Sequence, residues 1–221
     1  MKKIGLLFGA LLVATLAHAG IIYSNTTTDT GNSEFYATGP YTELGDQITF
    51  DPGQTERRID SASTQFYNSG PSGTFNATLR FYAIGSPVAA QIGTSFTKTS
   101  LAIGSNAILT MTFDNIGGLL LPDNVIWTVS VNPTPYSDPL MNVGLNFFSP
   151  PTIGSSPTFN FGPPDGIQAF YIGNNSGFAR YKSLDPTTGD FYFSVQSVPE
   201  PASYAMAAAG LLAIGLLRRR K

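Results

Sequence analysis

The chain has 221 residues, with 12 Lys and Arg, 14 Asp and Glu, one His and no Cys, for a formal net charge of −2. The missing Cys exclude disulfides, Cys-ligated zinc, iron–sulfur clusters and a thiol nucleophile, and a single His excludes a multi-His metal centre. Near-neutral charge argues against nucleic acid as the main partner, and the length fits one domain or a domain with tails.

The N-terminus reads as an address. Met1-Lys2-Lys3 is followed by an apolar run from Ile4 to Leu16 and then by Ala17-His18-Ala19-Gly20. A basic start, a short apolar stretch and a small-x-small ending predict a secretory signal over residues 1–19. Ala17 and Ala19 form the cleavage pattern and Gly20 becomes the first mature residue. The alternative is an N-terminal anchor or a buried helix, for which the run is short. Cleavage would remove His18, so the mature chain would contain neither His nor Cys. A Ser-His-Asp triad and a His-ligated metal are then excluded, and acid–base chemistry falls to carboxylates, Tyr, Lys or a metal-bound water.

The Ser/Thr-rich stretch 24–33 reads as a flexible lead. Beyond it the body alternates with period two. Phe75, Ala77, Leu79 and Phe81 oppose Thr74, Asn76, Thr78 and Arg80, which predicts a strand with one buried face. Ala107, Leu109, Met111 and Phe113 repeat the pattern, as do Val125, Trp127, Val129 and Val131, and then Phe191, Phe193 and Val195. Weaker strands are predicted over 47–50, 61–67, 91–97, 143–148, 167–172 and 178–182. Turn chemistry punctuates them, as in Asp51-Pro52-Gly53 and Asn68-Ser69-Gly70. No amphipathic helix and no internal repeat is visible between residues 20 and 197. These short strands predict an all-β fold, an antiparallel β-sandwich of jelly-roll type over residues 20–197.

Within that body the candidate chemistry is sparse. Asp51, Glu56 and Asp60 surround Arg57-Arg58, Asp114 and Asp123 flank an apolar stretch, and Asp185 and Asp190 bracket a Pro-Thr-Thr-Gly turn. Oxygen-rich loops can hold calcium, and Asp185 with Asp190 is the candidate pair, although Asp also simply begins turns. A glycosidase would need two carboxylates across a cleft, and nothing in the sequence selects a pair. Glycan binding would use aromatic faces, for which Tyr36, Tyr41, Tyr136, Tyr171, Tyr181 and Tyr192 are candidates. Trp127, in phase with an apolar strand face, reads as core.

The C-terminus reads as a second address. Val198-Pro199-Glu200-Pro201-Ala202-Ser203 leads into an apolar run ending at Leu217, and Arg218-Arg219-Arg220-Lys221 closes the chain. As helix, residues 202–217 would span about 24 Å, slightly short of a ~30 Å hydrocarbon core. The basic cluster would hold its end in the cytoplasm. The two prolines keep the preceding strip extended, a shape a protease or transpeptidase can grip.

In that order, the Pro-Glu-Pro motif, the short apolar helix and the terminal basic cluster resemble the PEP-CTERM sorting signal. The resemblance implies a Gram-negative exporter, recognition of residues 198–201 by an exosortase at the inner membrane, and delivery to the cell surface or extracellular matrix. It also implies an association with extracellular polysaccharide and biofilm. The stretches Gly45-Asp46-Gln47-Ile48-Thr49-Phe50, Thr74-Phe75-Asn76-Ala77-Thr78-Leu79-Arg80-Phe81-Tyr82 and Pro150-Pro151-Thr152-Ile153-Gly154-Ser155-Ser156 resemble a recurrent sandwich body of such proteins, which brings no activity with it. The domain plan is a signal peptide at 1–19, the sandwich at 20–197 and the sorting signal with its transmembrane helix at 198–221. The expected role is a non-enzymatic binding or structural module. The alternative is a secreted carbohydrate-active enzyme using carboxylates alone.

Charge sharpens this plan. Six of the 12 basic residues lie in the two addresses, so the body between them carries six bases against 13 acids, a net charge of −7. An acidic exported domain strengthens the case against nucleic acid and leaves room for cations.

Overall fold

The computed structural model describes residues 19–36, 43–84, 90–132, 141–156, 169–174, 177–182 and 190–198, with 169–174 and 177–182 described by their backbone alone. The alternating runs become strands: β1 (Ile21–Asn25), β2 (Asp29–Phe35), β3 (Glu43–Thr49), β4 (Arg58–Asn68), β5 (Gly73–Ala83), β6 (Gln91–Ile103), β7 (Ala107–Phe113), β8 (Leu119–Leu120), β9 (Asn124–Asn132), β10 (Val143–Phe148), β11 (Ala169–Asn174), β12 (Gly177–Lys182), β13 (Asp190–Phe191) and β14 (Phe193–Ser197). All pairings are antiparallel.

The strands form two sheets. The eight-stranded sheet runs β1-β14-β4-β10-β13, with β7 and β8 also on β4 and β2 on β10, and the six-stranded sheet runs β12-β11-β3-β9-β5-β6. The hairpins β5–β6 and β11–β12 stay within one sheet, whereas β2 to β3, β3 to β4, β4 to β5 and β9 to β10 cross from one sheet to the other. Side chains of alternate residues therefore meet between the layers and bury a shared core. Among the described residues no helix is long and apolar enough to cross a membrane. Residues 1–18 and 199–221, where the signal and transmembrane helices are expected, lie outside the described residues.

The predicted inward faces are the core. Phe75, Ala77, Leu79 and Phe81 are buried on β5, and Val125, Trp127, Val129 and Val131 on β9. Trp127 stacks flat on Phe193 of the opposite sheet, with ring centroids 3.8 Å apart and planes 2° from parallel. Phe147 and Phe191 stack at 4.5 Å. Burying each such ring contributes about 1.5–3 kcal/mol, so this aromatic seam is a main tie between the layers.

Two segments depart from the sequence reading. The stretch 24–33 is no flexible lead: Tyr23, Ser24 and Asn25 are buried on β1, and β2 pairs with β10 from Phe35 opposite Gly144 to Asp29 opposite Phe148. Its Ser/Thr composition hid it, because a polar strand gains order from main-chain ladder bonds that leave no apolar rhythm in the sequence. The strand at 91–97 runs on to Ile103, along an edge that carries Lys98 and register shifts. Charge and irregularity of this kind deter edge-to-edge pairing.

Candidate functional site

The first site lies where the sandwich ends. β14 pairs with β1, and Ser197 donates its amide to Gly20 O at 2.9 Å, while Val198 donates to Arg58 O at 2.8 Å. The residue after the expected signal cleavage and the first residue of the Pro-Glu-Pro segment therefore leave side by side from one edge of the eight-stranded sheet. Ala19 lies at that edge too, partly exposed. Ala17, Pro199, Glu200, Pro201, Arg218, Arg219, Arg220 and Lys221 lie outside the described residues.

A second arrangement covers the outside of the eight-stranded sheet. Side chains from β2, β10, β4 and β7 form a hydrogen-bonded row across the strands. Ser33 Oγ donates to Asn146 Oδ1 at 2.6 Å, Asn146 Nδ2 to Gln65 Oε1 at 2.7 Å, and Gln65 Nε2 to Thr110 Oγ1 at 3.1 Å. An aromatic pair lies on each side of the row. Phe35 and Tyr67 meet at 6.0 Å above Gly144, and Phe148 and Tyr192 pack edge-on at 4.9 Å. Gly144 is needed there, because a Cβ would lie 2.3 Å from Glu34 O and 2.9 Å from the Phe35 ring. Gly144 and Phe148 lie four positions apart on β10, so the aromatic pairs stand about 14 Å apart. Tyr192 is half-buried, which raises its hydroxyl pKa. Of the other tyrosines named from sequence, Tyr36 is core and donates to Val129 O at 2.7 Å. Tyr41 and Tyr136 lie outside the described residues, as do the side chains of Tyr171 and Tyr181.

The third arrangement is inside. Asp46 of β3 and Asp190 of β13 are each 1% exposed, and their carboxyl groups come within hydrogen-bonding reach across the two layers. β13 can do this because it packs against β3 and β11 while pairing with β10. The Gln47 amide donates to Asp46 Oδ1 at 2.7 Å. The Ser156 hydroxyl lies 3.4 Å from Asp46 Oδ2 and 3.0 Å from Gln47 O. Ser156 is delivered by residues 150–156, which bridge β1 through Ile153 opposite Ser24 and β3 through Ser155 opposite Thr49. Gly154 makes the bend, with φ at +73° and Thr49 O only 2.5 Å from where a Cβ would stand.

Polar atoms around the pair are left without partners. Neither oxygen of Asp190 meets a donor N–H or O–H at ordinary distance, and Tyr23 Oη, Asn25 Oδ1 and Trp127 Nε1 are also unpartnered. Asn25 is clamped through its amide nitrogen, which donates to Phe148 O at 3.2 Å, Asp190 O at 3.1 Å and Phe191 O at 3.2 Å. Trp127 stands opposite Asp46 in the β3–β9 register. Burial pushes Asp46 well above the usual carboxylate range, and the neighbouring Asp190 pushes it further. Burial also raises Asp190, against a lowering pull from the neighbouring Asp46 and Ser156 side chains. The Tyr23 hydroxyl is raised by burial and then by both acids.

Asp185 lies outside the described residues, and the acid that faces Asp190 is Asp46, which the sequence reading did not select. One signal was there: Asp46 keeps phase with the buried Leu44 and Ile48. Most other described acids meet bases or turns. Arg57 pairs with Asp123 at 2.6 Å, Arg58 with Glu56 at 2.6 Å, Arg80 with Glu43 at 2.7 Å and Lys98 with Asp114 at 2.5 Å. Asp51 Oδ1 accepts from the Gly53 amide at 2.9 Å, as expected of an Asp-led turn. Among the described residues no three His, Cys, Asp or Glu side chains cluster.

These features define an antiparallel β-sandwich protein whose last strand runs directly into a C-terminal sorting segment. That segment is the PEP-CTERM protein-sorting motif, matched over residues 197–221, as in a PEP-CTERM sorting domain-containing protein. The motif is a recognition signal for exosortase processing and implies export to the cell surface. Comparison with curated proteins and with solved structures finds no match.

Proposed function

We propose that this is a cell-surface or extracellular-matrix protein whose sandwich binds extracellular polysaccharide in a biofilm through the outer face of the eight-stranded sheet. The observation that carries the reading is the row Ser33–Asn146–Gln65–Thr110 with aromatic pairs on either side. Amides and hydroxyls match the hydroxyls of a sugar, and ring edges and faces offer apolar contact to its C–H groups. The ~14 Å between the aromatic pairs suits a stretch of glycan chain rather than a single sugar.

The two ends of the sandwich support a route outward through the inner membrane. Because Gly20 and Ser197 are hydrogen-bonded neighbours, the signal helix and the sorting helix can both sit in the inner membrane before processing, with the sandwich on the far side. Replacing Pro199, Glu200 and Pro201 by Ala should hold the protein at the inner membrane. Normal release of that variant would refute recognition through the motif. Glycan-array binding by the released protein should weaken about tenfold in Tyr192→Ala or Gln65→Ala, both at partly exposed positions of that face, the size of a typical hot-spot loss. Binding indifferent to both substitutions would remove the outer face from the proposal.

A carbohydrate-active enzyme is the second reading, and the geometry favours it less. Asp46 and Asp190 are in contact and buried, whereas a glycosidase needs its carboxylates about 5–9.5 Å apart around an accessible bond.

A further inference from the structure

We propose that Asp46 and Asp190 form a buried calcium site that ties the two sheets together, completed by oxygens of Tyr23, Asn25 and Ser156. The site lies inside the sandwich and is independent of what the outer face binds.

Charge is the first argument. Two buried carboxylates need compensation, and an uncompensated pair in a low-dielectric interior is strongly unfavourable. Among the bases whose side chains are described none supplies it: Arg57, Arg58, Arg80 and Lys98 each pair with a different acid. Protons neutralise the pair only while both acids hold one, whereas a divalent cation neutralises both carboxylates once they ionise.

Unpartnered atoms are the second and independent argument. Tyr23 is fully buried and its hydroxyl has no hydrogen-bond partner, yet it lies close enough to both carboxylates to feel their charge. Both Asp190 oxygens lack a hydrogen bond of ordinary geometry, with Asp46 and Ser156 beside them, and Asn25 Oδ1 is unpartnered, on a side chain clamped to the Asp190 carbonyl through its nitrogen. Buried polar atoms in native proteins nearly always have partners, so such a group around an acid pair marks a missing one.

Ligand chemistry selects the ion. The donor set is oxygen only, two carboxylates with amide and hydroxyl oxygens, with no His or Cys. Calcium takes six to eight such ligands in flexible geometry, whereas magnesium demands a near-ideal octahedron and keeps several waters. Zinc and copper favour nitrogen and sulfur.

The test uses the full-length protein in detergent, melted in chelator, in CaCl2 and in MgCl2, with native mass spectrometry to count bound ions. Calcium at about 100 times its dissociation constant should raise Tm by about 5–10 °C over chelator, with one ion bound and little effect of magnesium. Asp190→Asn and Asp46→Asn should each abolish the shift. Should Asp190→Asn fail to fold, Asp46→Asn and the ion count on the unmodified protein decide. Equal Tm in calcium and chelator, a shift that survives Asp46→Asn, or an equal response to magnesium would each overturn the proposal.

Discussion

Glu43 and Asp46 lie three residues apart on β3 and face opposite sides of the same sheet. Outside, Glu43 accepts from Arg80 at 2.7 Å, from Tyr82 at 3.1 Å and from Thr128, and Arg80 is also held by Ser130 at 3.0 Å. Tyr82, pushed up to about 12 by burial and by Glu43, stays a neutral donor. Inside, Asp46 has a main-chain amide, a serine hydroxyl and another acid. The first acid is satisfied by the protein itself. The second depends on what occupies the site, a proton or a cation. Burial alone does not make a carboxylate responsive to its surroundings; burial without a base does.

Three experiments would break or sharpen this contrast. The largest effect is expected from Gly154→Val, which forces a β-branched side chain to positive φ against Thr49 O and the Tyr23 ring. It should cost about 3 kcal/mol, or about 10 °C in Tm, by displacing the strap that carries Ser156 to Asp46. A Tm within two degrees of the parent, roughly what a neutral surface change gives, would show that the strap is not needed.

Acidity gives the intermediate effect. Both Asp46 and Asp190 bind their proton more tightly when folded than when unfolded. In chelator the resulting stabilisation is complete below about pH 4 and is lost as pH rises through the raised folded values. Chelated protein should therefore melt lower at pH 8 than at pH 5. Asp46→Asn, a neutral mimic of the protonated acid, should flatten that slope and stabilise the chelated protein at pH 8. A parent protein whose Tm in chelator rises over the same interval would contradict the raised values.

The smallest effect belongs outside. Glu43→Gln keeps the hydrogen bonds from Tyr82 and Thr128 and removes the charge opposite Arg80. Because the pair is partly solvated, the loss should be at most about 1 kcal/mol by denaturant titration, and it should shrink with added salt. A loss of several kcal/mol would erase the distinction between the two acids.

Much of this molecule is legible in its sequence. Apolar alternation in β5, β7, β9 and β14 announced itself because one buried face imposes a period of two on side chains. The sorting signal was equally plain, since its parts are adjacent in the chain. β2 was not, because its order comes from hydrogen bonds to β10 rather than from its own side chains. Nor was the acid pair. Asp46 keeps an inward phase, but the alternation of Phe191 and Phe193 gives Asp190 no inward phase at all. It turns inward because β13 closes the edge between the sheets.

By itself, then, the sequence determined an all-β body and a C-terminal sorting motif, since periodicity and contiguous motifs are local properties. Only the tertiary structure decided which acid meets which, and which polar and aromatic side chains share the outer row. Asp46 and Asp190, like Ser33 and Asn146, are far apart in the chain. Strand pairing and layer stacking set their meeting, and neither is written in the spacing of residues along one strand.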